Sequence, residues 1–415
     1  MSREMVNSGI TWIGEIPKDW NCSKTKFFTR ISSGDGISNE ELQDGGEYEV
    51  LGGGSGIMGY HNNYNIDGDN LIIGRVGACG YVKRTNGKRY VSDNALIMRI
   101  TSNTLLFNYL YYVLTSAELS RLNTSTAQPL ITATKVYNVS IPIPSLAEQQ
   151  RIVEFLDRKC AEVDEMIALQ EQIIEELKAY KQSVITEAVT KGLNPAATMR
   201  DSEIMFVDKI PSHWKETKTL RLLSMPITDG PHETPEGLDD GIPFISADAV
   251  SDGYINFDNK WGYISQEFYE ACCKKYIPQK QDIYMIKSGA STGRTAIVET
   301  DEIFTIWSPL AVFRANQEVI LPYFLLYVLR SDSYQKQVEN KWSFGTQQNI
   351  GMRTLEKLII SYPPISEQQT IANYLDEKCA DIDSLIQTKQ SKIDSLKEYK
   401  KSIIYEYVTG KKEVE

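Results

Sequence analysis

The chain contains one 45-residue segment twice. Residues 148–192 and 367–411 align without a gap at a constant offset of 219, and 21 of the 45 positions are identical. Neither copy contains proline, and glycine occurs only near their ends, so each is predicted to form one continuous helix. At ~1.5 Å per residue, such a helix is about 60 Å long.

Each copy carries a ladder of mostly apolar residues whose steps alternate between four and three, which is the spacing of a coiled-coil seam. The first ladder comprises Leu156, Cys160, Val163, Ile167, Gln170, Ile174, Leu177, Lys181, Val184 and Ala188. In the second copy the polar interruptions fall at the same two positions, Lys389 and Lys400. A polar residue on a seam costs stability but can fix the register. A helix of this length with one apolar stripe needs a partner, and the other copy is the obvious one. Because the two globular stretches would then lie at opposite ends, we predict that the two helices pair as an antiparallel coiled coil.

The repeat extends beyond these helices. An Ile-Pro-x-x-Trp motif precedes each globular stretch, and a proline-rich segment leads into each helix, where proline marks a change of structure. The predicted segments are a first globular domain, a first helical spacer, a second globular domain and a second helical spacer, at residues 1–145, 146–192, 193–365 and 366–415. The globular stretches read as short strands between glycine-rich turns with a few helices, which predicts an α+β fold. Because their sequences differ inside the same frame, we expect two recognition modules with different targets.

Composition excludes several classes of protein. No apolar run approaches 18 residues, so a membrane span is not expected, and the N-terminus lacks the apolar region of a signal peptide. The six cysteines include no C-x-x-C pair, and the three histidines lie far apart. A disulfide framework or a zinc site is therefore not expected, and a reducing cytoplasm fits the chain.

No motif indicates catalysis in this chain. The glycine-rich run 52–56 is followed by a turn and a strand rather than the helix that a dinucleotide site requires, and the run 289–295 departs from a P-loop in spacing and in its arginine. Two carboxylate pairs, Asp164 with Glu165 and Asp381 with Asp383, lie beside the helical ladders, where a solvated face or a partner contact is the simpler interpretation. We therefore predict a protein that is not an enzyme and that binds no cofactor or metal.

Charge argues against a large nucleic-acid surface but leaves room for local patches. With 44 basic and 55 acidic residues the net charge is −11, so a nucleic-acid interface needs a local patch or charge supplied by partner subunits. Arg and Lys bind phosphates and guanine, and Asn and Gln bind adenine. The candidate DNA-binding residues are Tyr60, Asn62, Asn63, Arg75, Lys83, Arg84, Lys88 and Arg89 in the first globular stretch, and Lys274, Lys275, Lys287, Arg294 and Gln347 in the second. The alternative is that most of them are ordinary surface residues.

Four segments together with the duplicated frame resemble the specificity (S) subunit of type I restriction–modification systems. The matching segments are Trp12–Trp20, Pro144–Ile152, Thr186–Pro195 and Pro364–Gln369. One departure is the stretch 201–207, which lacks the Trp-Ile-Gly sequence found at 12–14.

The resemblance implies two target recognition domains, each reading one half of a bipartite double-stranded DNA target. The family's conserved helices would set the spacing and dock two methyltransferase (M) subunits, directing adenine methylation. Two restriction/translocase (R) subunits would join for cleavage. S-adenosylmethionine, ATP and Mg²⁺ would belong to those partners. The alternative is a two-domain scaffold that binds proteins through its helices and does not bind DNA.

Overall fold

A computed structural model describes residues 3–123, 130–344 and 348–414. The chain forms two compact units: unit 1 comprises residues 1–171 and 390–415, and unit 2 comprises residues 172–389. Both units combine sheets with helices, so the predicted α+β fold is confirmed.

Unit 1 is built around a four-stranded antiparallel sheet and a smaller three-stranded sheet. Its strands are β1 (Met5–Asn7), β2 (Glu15–Pro17), β3 (Asn21–Lys24), β4 (Thr29–Ser33), β5 (Tyr48–Leu51), β6 (Ile57–His61), β7 (Asn70–Gly74), β8 (Val82–Thr85), β9 (Tyr90–Val91), β10 (Ala95–Ile100) and β11 (Ser140–Ile143). Its helices are α1 (Phe107–Ser116), α2 (Ala133–Tyr137) and the first part of α3 (Leu146–Lys191). The strand orders are β4-β10-β7-β8 and β6-β5-β9, with β1-β2 and β11-β3 as two-stranded pairs.

The core of unit 1 continues from the larger sheet onto the long helices. Strand β7 is buried along its whole length, because its apolar run packs on both faces of the sheet. Leu71 and Ile73 belong to the same buried cluster as Leu156 of α3 and Val408 near the end of the chain. The sheet of unit 1 is thereby anchored on the helices.

Unit 2 has a five-stranded sheet and a three-stranded sheet. Its strands are β12 (Met199–Asp201), β13 (Lys209–Pro211), β14 (Lys215–Lys218), β15 (Thr228–Asp229), β16 (Ile242–Ile245), β17 (Gly253–Tyr254), β18 (Gly262–Ile264), β19 (Ile283–Ile286), β20 (Thr295–Ile297), β21 (Thr305–Ile306), β22 (Leu310–Phe313), β23 (Ser343–Phe344), β24 (Gln348–Asn349) and β25 (Ile359–Tyr362). Its helices are α4 (Gln266–Cys273), α5 (Pro322–Arg330), α6 (Asp332–Glu339), α7 (Met352–Leu355) and the first part of α8 (Ile365–Val408). The sheet orders are β15-β22-β19-β20-β17 and β18-β16-β21.

The two units share a frame and differ in what it holds. The hairpins β1-β2 and β12-β13 correspond, as do the pairs β11-β3 and β25-β14. In each of these pairs the later strand, β11 or β25, lies directly before a long helix. The large sheet has four strands in unit 1 and five in unit 2, and α4 belongs to unit 2. The internal repeat is therefore present in the fold as well as in the sequence.

The long helices α3 and α8 pair in an antiparallel arrangement within each unit. In unit 1, Lys400 Nζ donates to both carboxylate oxygens of Asp164 at 2.7 and 2.6 Å, and the rings of Phe155 and Tyr407 lie 4.2 Å apart. In unit 2, Lys181 Nζ donates to both carboxylate oxygens of Asp383 at 2.9 Å. An offset of 219 converts one lysine–aspartate pair into the other. Lys181 and Lys400, two of the polar interruptions of the predicted seam, therefore each form an interhelical salt bridge, and the two salt bridges are equivalent.

We expect the Lys181→Ala substitution to lower the free energy of unfolding by about 1–2 kcal/mol. The Lys181 side chain is only 11% exposed, so its loss leaves Asp383 without its interhelical cation. Asp252, 3.4 Å from Lys181, keeps its ion pair with Arg330. Lys178→Ala is the matched control, because Lys178 is exposed and pairs with Glu175 on its own helix; its expected cost is below about 0.5 kcal/mol. Urea denaturation measures both, and equal costs would contradict a role for the interhelical pair.

Candidate nucleic-acid interface

A buried glutamine joins each long helix to the rest of its unit. The side-chain oxygen of Gln149 accepts a hydrogen bond from the backbone N–H of Leu106 at 2.8 Å, and its amide nitrogen donates to the carbonyls of Thr104 and Pro144 at 3.0 Å. Gln368 makes the same three bonds in unit 2, to Leu321, Val319 and Pro363. Because the N–H groups at a helix start have no partner within the helix, these bonds fix where α1 and α5 begin.

The Ile-Pro-x-x-Trp motifs are tied to the neighbouring glutamates. Trp20 Nε1 donates to Glu148 at 3.0 Å, and Trp214 Nε1 donates to Glu367 at 3.1 Å. The sequence shows the Ile-Pro-x-x-Trp motif and the Glu-Gln-Gln start of the long helix twice each. Their spacing along the chain does not reveal that the tryptophan of one bonds to the glutamate of the other. These contacts position the sheets that carry the candidate DNA-binding residues.

Arg75 of unit 1 directly follows the buried strand β7. A Cβ on the preceding Gly74 would overlap the carbonyl oxygen of Ala78 and lie 2.5 Å from that of Gly53, so glycine is required where these loops meet. Arg75 Nη1 lies 3.4 Å from Ser33 Oγ. The arginine therefore stands at the junction of two glycine-containing loops beside a neutral partner.

Lys83 and Arg84 are neighbours on β8 but have different surroundings, as expected where side chains alternate between the two faces of a sheet. Lys83 Nζ donates to the carbonyl of Gly54 at 2.6 Å, and burial lowers the pKa of this lysine. Arg84 Nη1 instead donates to Asp157 on α3 at 3.1 Å. Burial alone would lower the pKa of Arg84, but its hydrogen bond and ion pair with Asp157 raise it. The structure therefore brings Lys83 to the loop beside Arg75 and brings Arg84 to the spacer helix.

The remaining candidates of unit 1 lie on or beside the three-stranded sheet. Tyr60 is exposed on β6, and Asn62 and Asn63 follow that strand in exposed positions. Lys88 Nζ lies 4.6 Å from the centre of the Tyr64 ring. Arg89, the other basic residue here, pairs with Glu49 at 2.9 Å. This surface combines amides, aromatic rings and positive charge.

Two lysines of unit 2 converge on one buried carboxylate. Asp229, which is 1% exposed, forms ion pairs with Lys275 and with Lys287, the latter at 3.2 Å, and His232 Nε2 lies 3.4 Å away. Burial alone would raise the pKa of Asp229, but its hydrogen bonds and charge interactions with the two lysines hold it below its ordinary value. The predicted lysines are thus positioned by an aspartate that the sequence analysis did not single out.

Lys274 and Arg294 are exposed in unit 2, after α4 and directly before β20. Within the described ranges neither side chain forms an ion pair with another residue. Gln347 lies outside the described residues. The first two are therefore accessible, and the third remains a prediction.

Arg75 and Lys287 occupy equivalent places in the two units. The backbone carbonyl of Arg75 accepts from Ile131 at 3.1 Å, and that of Lys287 accepts from Ile350 at 2.9 Å. The two isoleucines are 219 residues apart, so the repeat relates them. Each unit therefore places one cation directly after an inner strand of its large sheet, Arg75 after β7 and Lys287 after β19.

The residues beside these two cations also correspond. Ser33 pairs with Leu96 and Asp229 pairs with Ala311 at matching positions of the two large sheets. Gly34 and Gly230 follow them, and a Cβ on either would overlap a neighbouring backbone carbonyl. The dipeptides Ser-Gly and Asp-Gly, each leaving the first strand of the large sheet, are the sequence signal that could have revealed Asp229.

We expect Asp229→Asn to lower the stability of unit 2 by about 2 kcal/mol at neutral pH. A folded-state pKa below the unfolded value stabilises the protein above the unfolded pKa, and this contribution disappears as the pH falls through the folded pKa. The difference in stability between the natural chain and Asp229→Asn should therefore be largest near neutrality and shrink in acid. Denaturation as a function of pH measures it, and a difference independent of pH would contradict the ion-pair interpretation.

Neither a metal centre nor a membrane helix is found in the described ranges. No group of three or more His, Cys, Asp or Glu side chains there could hold a metal ion. None of the helices in those ranges is both long enough and apolar enough to cross a bilayer.

Comparison with known proteins gives a consistent match. The family model for the type I restriction modification DNA specificity domain matches residues 17–179 and 235–408. The specificity subunit of the type I restriction enzyme EcoBI from Escherichia coli is 24% identical over 411 residues, covering 92% of this chain and 84% of that protein. The MjaVIII specificity subunit of Methanocaldococcus jannaschii is 23% identical over 414 residues, covering 95% and 93%.

A solved structure shares the fold over nearly the whole chain. It comes from work on complex assembly and conformational transition of the type I restriction–modification system, and it is 17% identical with a TM-score of 0.66, covering 95% of this chain and 99% of the other. The family model spans most of both units, and the curated relatives extend over nearly the full length. The chain therefore belongs to the family of type I restriction–modification specificity subunits.

Proposed function

We propose that each unit reads one half of a bipartite DNA target. The observation that carries this proposal is one repeated frame that holds two unlike sheet domains. Each domain has a cation directly after an inner strand of its large sheet, Arg75 in unit 1 and Lys287 in unit 2. The repeated frame attaches both sheet domains to the long helices in the same way, whereas the different sheets give the two units different surfaces. Two half-sites of different sequence are the target that such a chain would fit.

The chemistry of the exposed candidates suits base readout. Arginine and lysine bind guanine and phosphate, and asparagine binds adenine through two hydrogen bonds. A good bidentate pair discriminates against the wrong base by about 1–3 kcal/mol. Because the chain is acidic overall, with a net charge of −11, we expect partner subunits to supply many of the phosphate contacts.

The paired helices are proposed to set the distance between half-sites and to dock two methyltransferase subunits. Two copies of one partner can bind a single chain when that chain presents the same surface twice, and the repeated frame provides this duplication. Adenine methylation would then take place in the methyltransferase subunits, with S-adenosylmethionine bound there. Two translocase/nuclease subunits, using ATP and Mg²⁺, would join for cleavage.

Mapping methylated sites in DNA tests this proposal. The chain is combined with its methyltransferase partner, and the methylated motif is compared with that produced after residues 20–140 are replaced by the same region of a relative. We expect one half of the motif to change while the other half and the spacer length persist. Loss of both halves, or a motif that stays unchanged, would contradict the proposal.

A further inference from the structure

A cavity of about 500 Å³ opens in unit 2 beside the start of α8. Its lining includes Ala197, two residues before β12, Pro211 at the end of β13, and the side chains of His213 and Glu367. The Glu367 side chain is 31% exposed, so its carboxylate is reachable from solvent. The cavity therefore presents an acidic group at its wall.

The equivalent place in unit 1 is filled by an arginine of the chain itself. Arg3 donates to Glu148 at 2.5 and 3.2 Å and to Asp19 at 2.9 Å, and its guanidinium lies 5.3 Å from the centre of the Trp20 ring. The hydrogen bond to Glu148 is the main reason that the pKa of Arg3 is raised above its ordinary value. Unit 1 thus shows which chemical group this frame accommodates.

Strand pairing establishes the equivalence residue by residue. Met5 faces Pro17 in the hairpin of unit 1, and Met199 faces Pro211 in that of unit 2. Counting two residues back from Met5 and from Met199 makes Arg3 and Ala197 equivalent positions. By the same alignment Asp19 corresponds to His213, and the offset of 219 makes Glu148 and Glu367 equivalent. Where unit 1 has a guanidinium between two carboxylates, unit 2 has a methyl group and open space.

The carboxylate of Glu367 retains hydrogen-bonding capacity. It accepts from Trp214 Nε1 at 3.1 Å, and His213 Nε2 lies 2.8 Å from its other oxygen. An ionised carboxylate offers about four acceptor sites, and a guanidinium can use two of them together with parallel N–H groups. Lys191 also lines the cavity, but its ammonium group lies 3.4 Å from Glu187 on the same helix.

We propose that this cavity receives an arginine side chain of the methyltransferase subunit docked on unit 2, where it would take the place that Arg3 holds in unit 1. The two otherwise equivalent docking surfaces would then differ at this one contact. The inference rests on the proposed function, because that function brings the methyltransferase to the repeated frame. A lysine of the partner would fit less well, since its ammonium is a point charge without the planar fork of arginine.

The isolated chain tests the chemistry of the cavity. The probe is Nα-acetyl-L-arginine methylamide, and the readout is the indole N–H spectrum of the six tryptophans, in which the Trp214 signal reports on Glu367. We expect this signal to move most, and we expect Glu367→Gln and Ala197→Arg to abolish the response. Either no movement, or equal movement with the corresponding lysine amide, would overturn the proposal.

The complex tests the partner. Binding of the methyltransferase is measured for the natural chain, for Ala197→Arg, which fills the cavity, and for Ala196→Arg, which places the same charge on the exposed neighbouring residue. We expect Ala197→Arg to weaken binding by about tenfold or more and Ala196→Arg to change it little. If the natural chain binds no methyltransferase, the proposed function fails at its own step. If it binds and Ala197→Arg binds equally well, only the present inference is overturned.

Discussion

Replacing Gln149 with leucine is expected to lower the free energy of unfolding by about 3 kcal/mol. The Gln149 side chain is fully buried and satisfies one backbone N–H, that of Leu106, and two backbone carbonyls. Leucine has similar volume but can neither accept nor donate, so these main-chain groups would lose their partner away from water. A buried polar group left unpaired costs about 1–3 kcal/mol, and the lost N–H acceptor should contribute most.

Gln150→Leu is the matched control at the next position. The Gln150 side chain is exposed, and among the described residues it bonds only to Glu154 one turn further along the helix, so we expect a change within about 0.5 kcal/mol. Urea denaturation followed by fluorescence and by circular dichroism measures both variants. Comparable losses in the two would mean that the buried bonds of Gln149 do not stabilise unit 1.

Removing the side chain of Arg75 should weaken binding to the cognate DNA by about 10- to 100-fold. Arg75 stands beside the neutral Ser33 at the end of a buried strand, so Arg75→Ala removes a positive charge without leaving a buried carboxylate unpaired. We expect the loss to fall on one half of the target and to relax base preference there. Binding is measured with duplexes mutated in either half, in the presence of the methyltransferase at fixed salt.

Arg84→Ala is the comparison for this experiment. Arg84 is also a basic residue of unit 1, but it is bonded to Asp157 and lies against the Tyr111 ring. Its removal should affect stability more than base preference. If the two substitutions weaken DNA binding equally and in both halves of the target, neither arginine is reading bases.

The long helices could be predicted from the sequence because a spacing of four and three residues has few other structural explanations. The predicted repeat 148–192 corresponds to the helix Leu146–Lys191, and the repeat 367–411 to Ile365–Val408. The pairing of the two helices is predictable because each apolar stripe needs a partner. The sequence also located Lys181 and Lys400 as interruptions, but the carboxylates that they meet became visible only in the structure.

The candidate DNA-binding surface was predictable only in part. Lys83 and Arg84 are adjacent in the sequence, yet a strand sends adjacent side chains to opposite faces. Conversely, Asp229 lies far along the chain from Lys275 and Lys287. Pairing within the five-stranded sheet brings Lys287 to it, and the segment after α4 brings Lys275. Local spacing carries no information about such contacts, because they depend on which strands become neighbours.

The bonds made by Gln149 and Gln368 have a consequence for how such chains can diversify. Both glutamines hold main-chain atoms, so their bonds do not depend on the side chain at a held position. Thr104 in unit 1 corresponds to Val319 in unit 2, whereas the other two held positions are leucine and proline in both units. An attachment made through backbone atoms tolerates substitution of the residues to which it bonds. The sequence of the attached domain can therefore change while Gln149 and Gln368 stay the same.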